Sequence, residues 1–147
     1  MRTLGIDLGS KRVGLALSDE GGRFATALDV LEVTSPAQAA ELVLKVIAKE
    51  DAKRLVVGLP LNMDDTIGPS ARDAAAWGKK IAERAGKPLV LVDERLSSFM
   101  AEQHLADRKR AGGKMTRGQR KERLDAHAAA DFLQAFLDGR LPAIELD

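Results

Sequence analysis

A change of hydrophobic period near residue 35 restricts the fold more than any other feature of this 147-residue chain. Before it, residues 2–8, Val13–Ser18 and Arg23–Val33 have the apolar character and the separating turns of three strands, which predicts an antiparallel meander. After it, segments with helix spacing alternate with short, fully apolar strands. This order is typical of an α/β fold built on one mixed sheet.

Two helices can be placed between residues 35 and 86. Ser35 predicts an N-cap, Pro36 suits the first helical position and Gln38 completes a capping box. A second helix is expected from Pro69 to Gly86, with small residues along its inner face. Two apolar stripes define the faces that should be buried: Ala39, Leu42, Val43, Val46 and Ile47 in the first helix, and Ala71, Ala74, Ala75, Gly78, Ile81, Ala82 and Ala85 in the second. Trp77 lies off the second stripe, and partial burial in the core is favoured over a stacking platform or an oligomer contact.

The remaining elements complete a five-stranded sheet. Leu55–Gly58 and Leu89–Val92 are predicted to be strands that run parallel to the first strand and are buried on both faces. A short helix is expected at Ser98–Leu105, followed by a loop containing Gly112-Gly113. A long helix is expected from Gly118 to Leu137. The predicted fold is therefore an α/β sandwich on a mixed five-stranded sheet.

Composition excludes several kinds of protein and site. An apolar fraction of 45% supports a sizeable core, and the length is that of one domain, so we expect a single domain over residues 1–147. The absence of cysteine excludes disulfides, cysteine–zinc centres, thiol nucleophiles and iron–sulfur clusters. No apolar run approaches the roughly 20 residues of a membrane helix, so we expect a soluble, cytoplasmic protein with no membrane partner.

A net charge of +1 conceals one strongly basic stretch. Residues 108–123, the basic segment, carry eight Lys and Arg against one acid, a net charge of +7 that leaves −6 on the rest of the chain. This separation favours a polyanionic partner such as nucleic acid, although a solvated helix end with a lysine-rich loop would give the same pattern. The candidates for phosphate contact within the segment, called the four segment cations, are Lys109, Arg110, Lys114 and Arg117.

Acidic residues occur at two places where a folded chain would not put them without compensation. Asp7 interrupts the apolar first strand, and Asp93 and Glu94 directly follow another apolar strand. The carboxyl ends of such strands form the edge at which α/β sheets usually bind ligands. Ordinary structural roles remain open: Asp7 could serve the turn before Gly9, and Asp93 or Glu94 could be an N-cap.

Asp125 shares a helix face with core residues. Offsets of 4, 7 and 11 residues place Ala129, Phe132 and Phe136 on the same stripe, facing the interior. A carboxylate on that face is costly unless it is paired or binds a cation. Asp125 is therefore expected to have a partner inside the protein.

Acids from the first strand, the end of the fifth strand and the last helix could converge on one site. A set of carboxylate ligands suits Mg²⁺ or Mn²⁺, and two such ions about 4 Å apart support phosphodiester hydrolysis. A buried carboxylate–arginine pair, formed for instance with Arg12 or Arg95, would explain the same acids equally well.

Two connections are expected to border this site. The turn Gly9–Arg12 offers backbone amides, the hydroxyl of Ser10 and the cations Lys11 and Arg12, a set that can hold a phosphate although it lacks the P-loop spacing. The polar loop at residues 62–66 follows another strand at the same edge, and its length favours a wall of the site over an ordinary connection.

Four motifs take the interpretation beyond composition. They are GIDLGSKRVG at 5–14, VGLPLNMD at 57–64, VDERLS at 92–97 and DAHAA at 125–129. In order and spacing, over nearly the whole chain, they resemble the YqgF/RuvX family of Holliday-junction-resolvase-like proteins, which are also described as pre-16S rRNA nucleases. The chain departs from the family at Asp65, where Gly is usual, and at Ser98, where Thr is usual.

This resemblance implies a ribonuclease-H-like fold with helices on both faces of the sheet. It implies that Asp7, Glu94 and Asp125 are the catalytic acids that bind Mg²⁺ or Mn²⁺, with Asp93 a less favoured substitute for Glu94. It also implies phosphate contacts for three cations and a path for the nucleic-acid backbone along the basic segment. These three cations are Lys11, Arg12 and Arg95.

The leading prediction is thus a metal-dependent endonuclease acting on the 5′ end of pre-16S rRNA, on DNA junctions, or on both. A resolvase must cut two strands and predicts a homodimer, whereas an rRNA-processing enzyme can be a monomer. The main alternative is a non-catalytic rRNA-binding ribosome assembly factor. A nucleotide-binding ATPase is disfavoured because the actin-like and sugar-kinase proteins need two such domains.

Overall fold

The computed structural model describes residues 1–64, 66–95 and 117–145, with the backbone alone at 117–126. The strands are β1 (Thr3–Leu8), β2 (Arg12–Ser18), β3 (Ala25–Glu32), β4 (Arg54–Leu59) and β5 (Leu89–Asp93). The helices are α1 (Pro36–Glu50), α2 (Pro69–Ala85) and α3 (Arg117–Leu137). None of these helices has the length and apolarity needed to cross a membrane. The short helix expected at 98–105, the Gly112-Gly113 loop and the two departures, Asp65 and Ser98, lie outside the described residues.

The strands form one mixed sheet in the order β3-β2-β1-β4-β5. β1 pairs antiparallel with β2, and β2 with β3, as the predicted meander requires. β4 runs parallel to both β1 and β5. The ends of β1, β4 and β5 therefore meet at one side of the sheet, called the carboxyl edge below, and this is where both acidic positions and the turn after β1 lie.

Helices α1 and α2 cover one face of the sheet. The Ser35 hydroxyl caps α1 by accepting a hydrogen bond from the Gln38 amide at 3.1 Å, and the Gln38 side chain accepts one from the Thr34 amide at 2.6 Å. In a capping box the Gln38 side chain would instead accept from the amide of Ser35, the N-cap residue. The second bond of the predicted box is therefore shifted by one residue, to Thr34. The predicted inner faces of both helices are buried or half-buried against the sheet.

Trp77 joins the two helices. Its side chain is 8% exposed, and its indole N–H donates a hydrogen bond of 2.9 Å to the carbonyl of Pro36. A buried indole needs such a partner, because an unsatisfied N–H in the interior is costly. The expected burial is thus confirmed, and the indole ties α2 to the first turn of α1.

Helix α3 covers the opposite face and approaches the sheet closely at a glycine. A Cβ on Gly5 would lie 3.2 Å from the Cβ of Leu133 and 3.3 Å from the carbonyl of Ala129, a spacing tighter than ordinary contact. Ala129 and Phe132 are fully buried and Phe136 is half-buried, as the predicted stripe requires. This close contact fixes the helix that carries Asp125 above β1.

Candidate active site

Asp7 and Glu94 are brought together at the carboxyl edge. Asp7 is the second-last residue of β1, Glu94 directly follows β5, and their side chains are hydrogen-bonded to each other. Burial raises the pKa of Asp7 above its usual value, and the hydrogen bond with Glu94 opposes that rise. Two carboxyl groups in contact are stable when they share a proton or when a cation balances their charge. Two of the three predicted acids therefore meet.

The backbone of β4 holds Glu94 in this position. The Glu94 amide donates a hydrogen bond of 3.2 Å to the Leu59 carbonyl, which extends the pairing of β4 and β5 by one residue. A Cβ on Gly58 would lie only 2.9 Å from the Cβ of Glu94 and 2.7 Å from the Cε2 atom of Phe132. Gly58 is therefore required for Glu94 and the ring of Phe132 to pack side by side over β4.

Asp93 is engaged differently from its neighbour. The Arg95 guanidinium donates hydrogen bonds to both carboxylate oxygens of Asp93, the shortest at 2.6 Å from Nη2, and the Arg95 amide donates another at 3.0 Å. The hydrogen bonds from Arg95 lower the pKa of Asp93. Partial burial acts in the opposite direction, but its effect is smaller. A carboxylate–arginine pair was the alternative to a metal site at these acids. Such a pair is present at Asp93, whereas Glu94 contacts Asp7.

Arg95 also connects the site to the loop after β4. Its Nη1 atom donates a hydrogen bond of 2.5 Å to the Asn62 carbonyl. The loop is ordered by its own bonds, from the Asn62 amide to the Thr66 carbonyl at 3.0 Å and from the Thr66 hydroxyl to Asp64 at 2.5 Å. It presents Met63 with 99% of the side chain exposed. The described residues of the loop, on either side of position 65, are thus tied to the residue that follows Glu94.

The turn after β1 presents two cations at the same edge. The Gly9 amide donates to the Arg12 carbonyl at 2.8 Å, and a Cβ on Gly9 would lie at that same distance from the carbonyl oxygen. Ser10 and Lys11 are exposed and Arg12 is half-buried. Within the described ranges, neither Lys11 nor Arg12 forms an ion pair with an acid. The turn is thus narrow, and its charges are available to an anionic ligand.

The third acid can be followed only through its backbone. Asp125 lies in α3 one turn before Ala129, the residue whose carbonyl faces Gly5. The side chains of Asp125 and of the four segment cations lie outside the described residues. Among the side chains that are described, no group of three or more His, Asp and Glu residues is assembled as a metal site. Convergence of all three acids therefore stays a prediction.

Gly5 and Gly58 are the positions that sequence reasoning did not assign to the site. Each interrupts an apolar strand, and a glycine inside a strand often marks the close approach of another segment. That signal was present in the sequence, but it does not say which element approaches or from which face.

Two solved structures share this fold. RuvC of Thermus thermophilus aligns over 98% of this chain and 100% of its own, with a TM-score of 0.60 at 16% identity. The fowlpox virus resolvase, solved in complex with substrate Holliday junction DNA, aligns over 93% of this chain and 99% of its own, with a TM-score of 0.56 at 7% identity. The fold is therefore that of the ribonuclease-H-like resolvases, as predicted.

The chain belongs to the RuvX family, whose model, described as "Holliday junction resolvase", matches residues 1–139. A relative from Anaeromyxobacter sp. (strain K), named "Putative pre-16S rRNA nuclease", is 46% identical over 97% of this chain and 100% of its own length. A relative of the same name from Acidiphilium cryptum (strain JF-5) is 42% identical over 93% of this chain and 84% of its own. The family predicted from the four motifs is confirmed, and it is a nuclease family.

Proposed function

We propose that this chain is a divalent-metal-dependent endonuclease that hydrolyses phosphodiester bonds in structured nucleic acid. The contact between Asp7 and Glu94 carries the proposal, because two carboxyl groups joined at a sheet edge are a ready ligand pair for a cation. The names of the relatives support pre-16S rRNA as a substrate, for which we propose the 5′ end as the site of cleavage, and those of the structural neighbours support a branched DNA junction. An activity on ribosomal RNA precursors would operate in the cytoplasm.

The described residues fit a hard divalent cation. Asp7 and Glu94 offer only carboxyl oxygens, the donors that Mg²⁺ and Mn²⁺ prefer. Asp93 is already balanced by Arg95, so Glu94 is the ligand we assign after β5. Asp125, on the helix that packs over Gly5 and Gly58, is the proposed third ligand.

The residues of the chain have separate tasks in the proposed reaction. A divalent ion bound by the acids would supply a polarised water and a positive charge near the leaving oxygen. Ser10, Lys11 and Arg12 would bind a phosphate at the turn and so orient the strand across the edge. Arg95 remains a predicted phosphate contact, and its pairing with Asp93 fixes the direction of its guanidinium. The basic segment would follow the backbone of the substrate without reading its bases.

A cleavage assay with matched variants tests the proposal. The substrates are a four-way DNA junction, linear DNA of the same sequence, and an RNA with the extended 16S 5′ end, each with Mg²⁺, with Mn²⁺ or with EDTA. Asp7→Asn and Glu94→Gln are expected to lose at least about 100-fold in cleavage, because each removes a ligand charge. Glu83→Gln changes an exposed carboxylate of α2 and should cut like the wild type.

The same assay distinguishes the alternatives. Junction cutting by a homodimer would assign the resolvase function, and RNA cutting without a dimer would assign the processing function. Asp93→Asn should retain more activity than Glu94→Gln, and the reverse order would exchange their proposed roles. If no substrate is cut while RNA binding stays tight, the chain is the non-catalytic assembly factor.

A further inference from the structure

A cavity of about 500 Å³ opens at the carboxyl edge on the α1–α2 side of the sheet. We call it the edge pocket. Its walls are largely apolar, and its polar lining residues are Ser10, Ser35, Ser70 and Asp73. The apolar wall includes Leu8, Val33, Pro36, Pro60 and Trp77. The volume and the few polar groups are those of a site for a small organic group.

A second cavity, of about 450 Å³, adjoins the edge pocket through Val33. It is lined by Lys11 and Arg12, by the carboxylate of Glu32, and by the polar side chains of Thr34 and Gln38, so two cations face one acid. The turn after β1 thus separates a largely apolar pocket from a polar cavity whose charged residues sum to +1. A nucleotide has the complementary form, since its base is flat and largely apolar and its phosphate is anionic.

We propose that the edge pocket binds one unpaired base of the substrate strand while Lys11 and Arg12 bind the adjacent phosphate. The proposal rests on the proposed nuclease function for the strand, but the site is separate from the acids: Asp7 contacts Glu94 on the α3 side of the sheet, and the pocket lies on the other side. The strand would cross the edge over the turn Gly9–Arg12, with its cut bond on one side and the extruded base on the other.

This arrangement would select structured nucleic acid. Removing a base from a duplex costs free energy in lost pairing and stacking, and this cost is least where the base is already unpaired. A junction or a processing site with an unpaired nucleotide beside the cut would fill the pocket at little cost. In a continuous duplex the full cost of unpairing and unstacking the base would oppose binding. The pocket would therefore distinguish structured from continuous nucleic acid without hydrogen bonds to particular bases.

Trp77 reports on the pocket directly, because it is the only tryptophan of the chain and its side chain lines the wall. The full chain, in EDTA and without metal, is titrated with AMP, adenosine, inorganic phosphate and a short single-stranded RNA while Trp77 fluorescence is recorded. AMP and the RNA are expected to change the fluorescence, the RNA at lower concentration because it also contacts other cations. Adenosine should bind at least about fivefold more weakly than AMP, and phosphate alone should leave the fluorescence unchanged.

Two substitutions on α2 locate the response. Ser70→Phe places a ring in the edge pocket and should weaken AMP binding about tenfold or more. Ala76→Phe adds the same ring at an exposed position that lines the neighbouring cavity instead, and should change binding less than about twofold. The double variant Lys11→Gln, Arg12→Gln should weaken AMP but not adenosine, whereas Lys49→Gln on α1 should weaken neither. Thermal unfolding checks that each variant is folded.

The outcomes are separable from those of the cleavage assay, since no metal or cutting is involved. Equal effects of Ser70→Phe and Ala76→Phe, or no fluorescence response to AMP and RNA, would overturn the proposal. Tighter binding of AMP than of the RNA would also overturn it, because the pocket would then serve a free nucleotide. Should Ser70→Phe fail to fold, the AMP-against-adenosine comparison in the Lys11/Arg12 double variant still decides the case.

Discussion

Replacing Gly58 with alanine should damage the site more than it damages the fold. The new Cβ would stand 2.7 and 3.1 Å from two ring carbons of Phe132 and 2.9 Å from the Cβ of Glu94. Phe132 is fully buried, so its ring has little room to move, and Glu94 is fixed through its backbone bond to Leu59. Overpacking of this kind costs roughly 1–3 kcal/mol, from which about 0.5–1 kcal/mol is recovered because alanine is less flexible than glycine when unfolded.

The expected loss of stability is therefore about 1–2 kcal/mol, or roughly 2–8 °C in the unfolding temperature of a chain this size. The expected loss of cleavage is larger, on the order of 100-fold, because a shift of about 1 Å in a catalytic group has that effect. Urea unfolding and the cleavage assay, run on the same preparations, measure the two quantities. Gly5→Ala is the matched comparison: it crowds α3 against β1 at 3.2–3.3 Å without touching Asp7 or Glu94, so it should lose less cleavage than Gly58→Ala for a similar loss of stability.

A second substitution distinguishes the effect of the methyl group that Gly58→Ala adds on Phe132 from its effect on Glu94. Phe132→Leu in the Gly58→Ala background removes the ring atoms that it strikes, so part of the lost stability should return relative to the sum of the single changes. The contact with Glu94 would remain, and cleavage should not recover. Wild-type stability and cleavage in Gly58→Ala would contradict this account of the contact. So would a loss of cleavage that is only in proportion to the loss of stability in both glycine variants.

Three further outcomes are expected. Neutralising the four segment cations should flatten the slope of log affinity against log salt by about 3 to 4 units, and an unchanged slope would mean that the basic segment is merely solvated. Hydrogen bonds from the amides of Phe24 and Arg23 hold the pKa of Asp19 below 3.8; its contribution to stability is thus complete above that value and is lost as the pH falls through the folded-state pKa. In thermal unfolding followed from pH 6 to pH 2.5, Asp19→Asn should lose less stability at the acid end than the wild type. Trp77→Phe should cost about 1–3 kcal/mol in urea unfolding followed by circular dichroism, because it removes the indole hydrogen bond to the Pro36 carbonyl and leaves part of the indole volume unfilled.

The architecture could be predicted because its signals are local. The period change at residue 35, the cap at Ser35 and the apolar strands β4 and β5 each depend on neighbouring residues, and each element has nearly the predicted bounds. Strand ends differ by a few residues at most: β3 spans Ala25–Glu32 within the predicted Arg23–Val33. The buried face of helix α1 could also be predicted, since the spacing of its apolar residues alone identifies it.

The site could be predicted only in part, because its geometry depends on which face of the sheet each helix covers. Asp93 and Glu94 are adjacent on an extended backbone, so they point to opposite faces, but β5 is apolar on both faces and its sequence does not distinguish them. The packing of helix α3 determines which of the two acids lies on its side of the sheet. Phe132 lies over Gly58, and Glu94 packs on that same face of β4. No property of residues 92–95 contains that information.

The two glycines connect folding to the proposed chemistry. Gly5 and Asp7 share a face of β1, since they are two residues apart, and α3 contacts that face at Gly5 and the same face of the sheet at Gly58. The packing that buries Phe132 is thus the packing that holds Glu94 against Asp7, and it also places the Asp125 position of the helix on the acidic side. A change that lifts α3 from the sheet would take Phe132 away from Glu94 and the Asp125 position away from the other two acids, while the pairing of the strands is retained. Cleavage is therefore expected to be lost at lower urea concentration than the circular dichroism of the sheet.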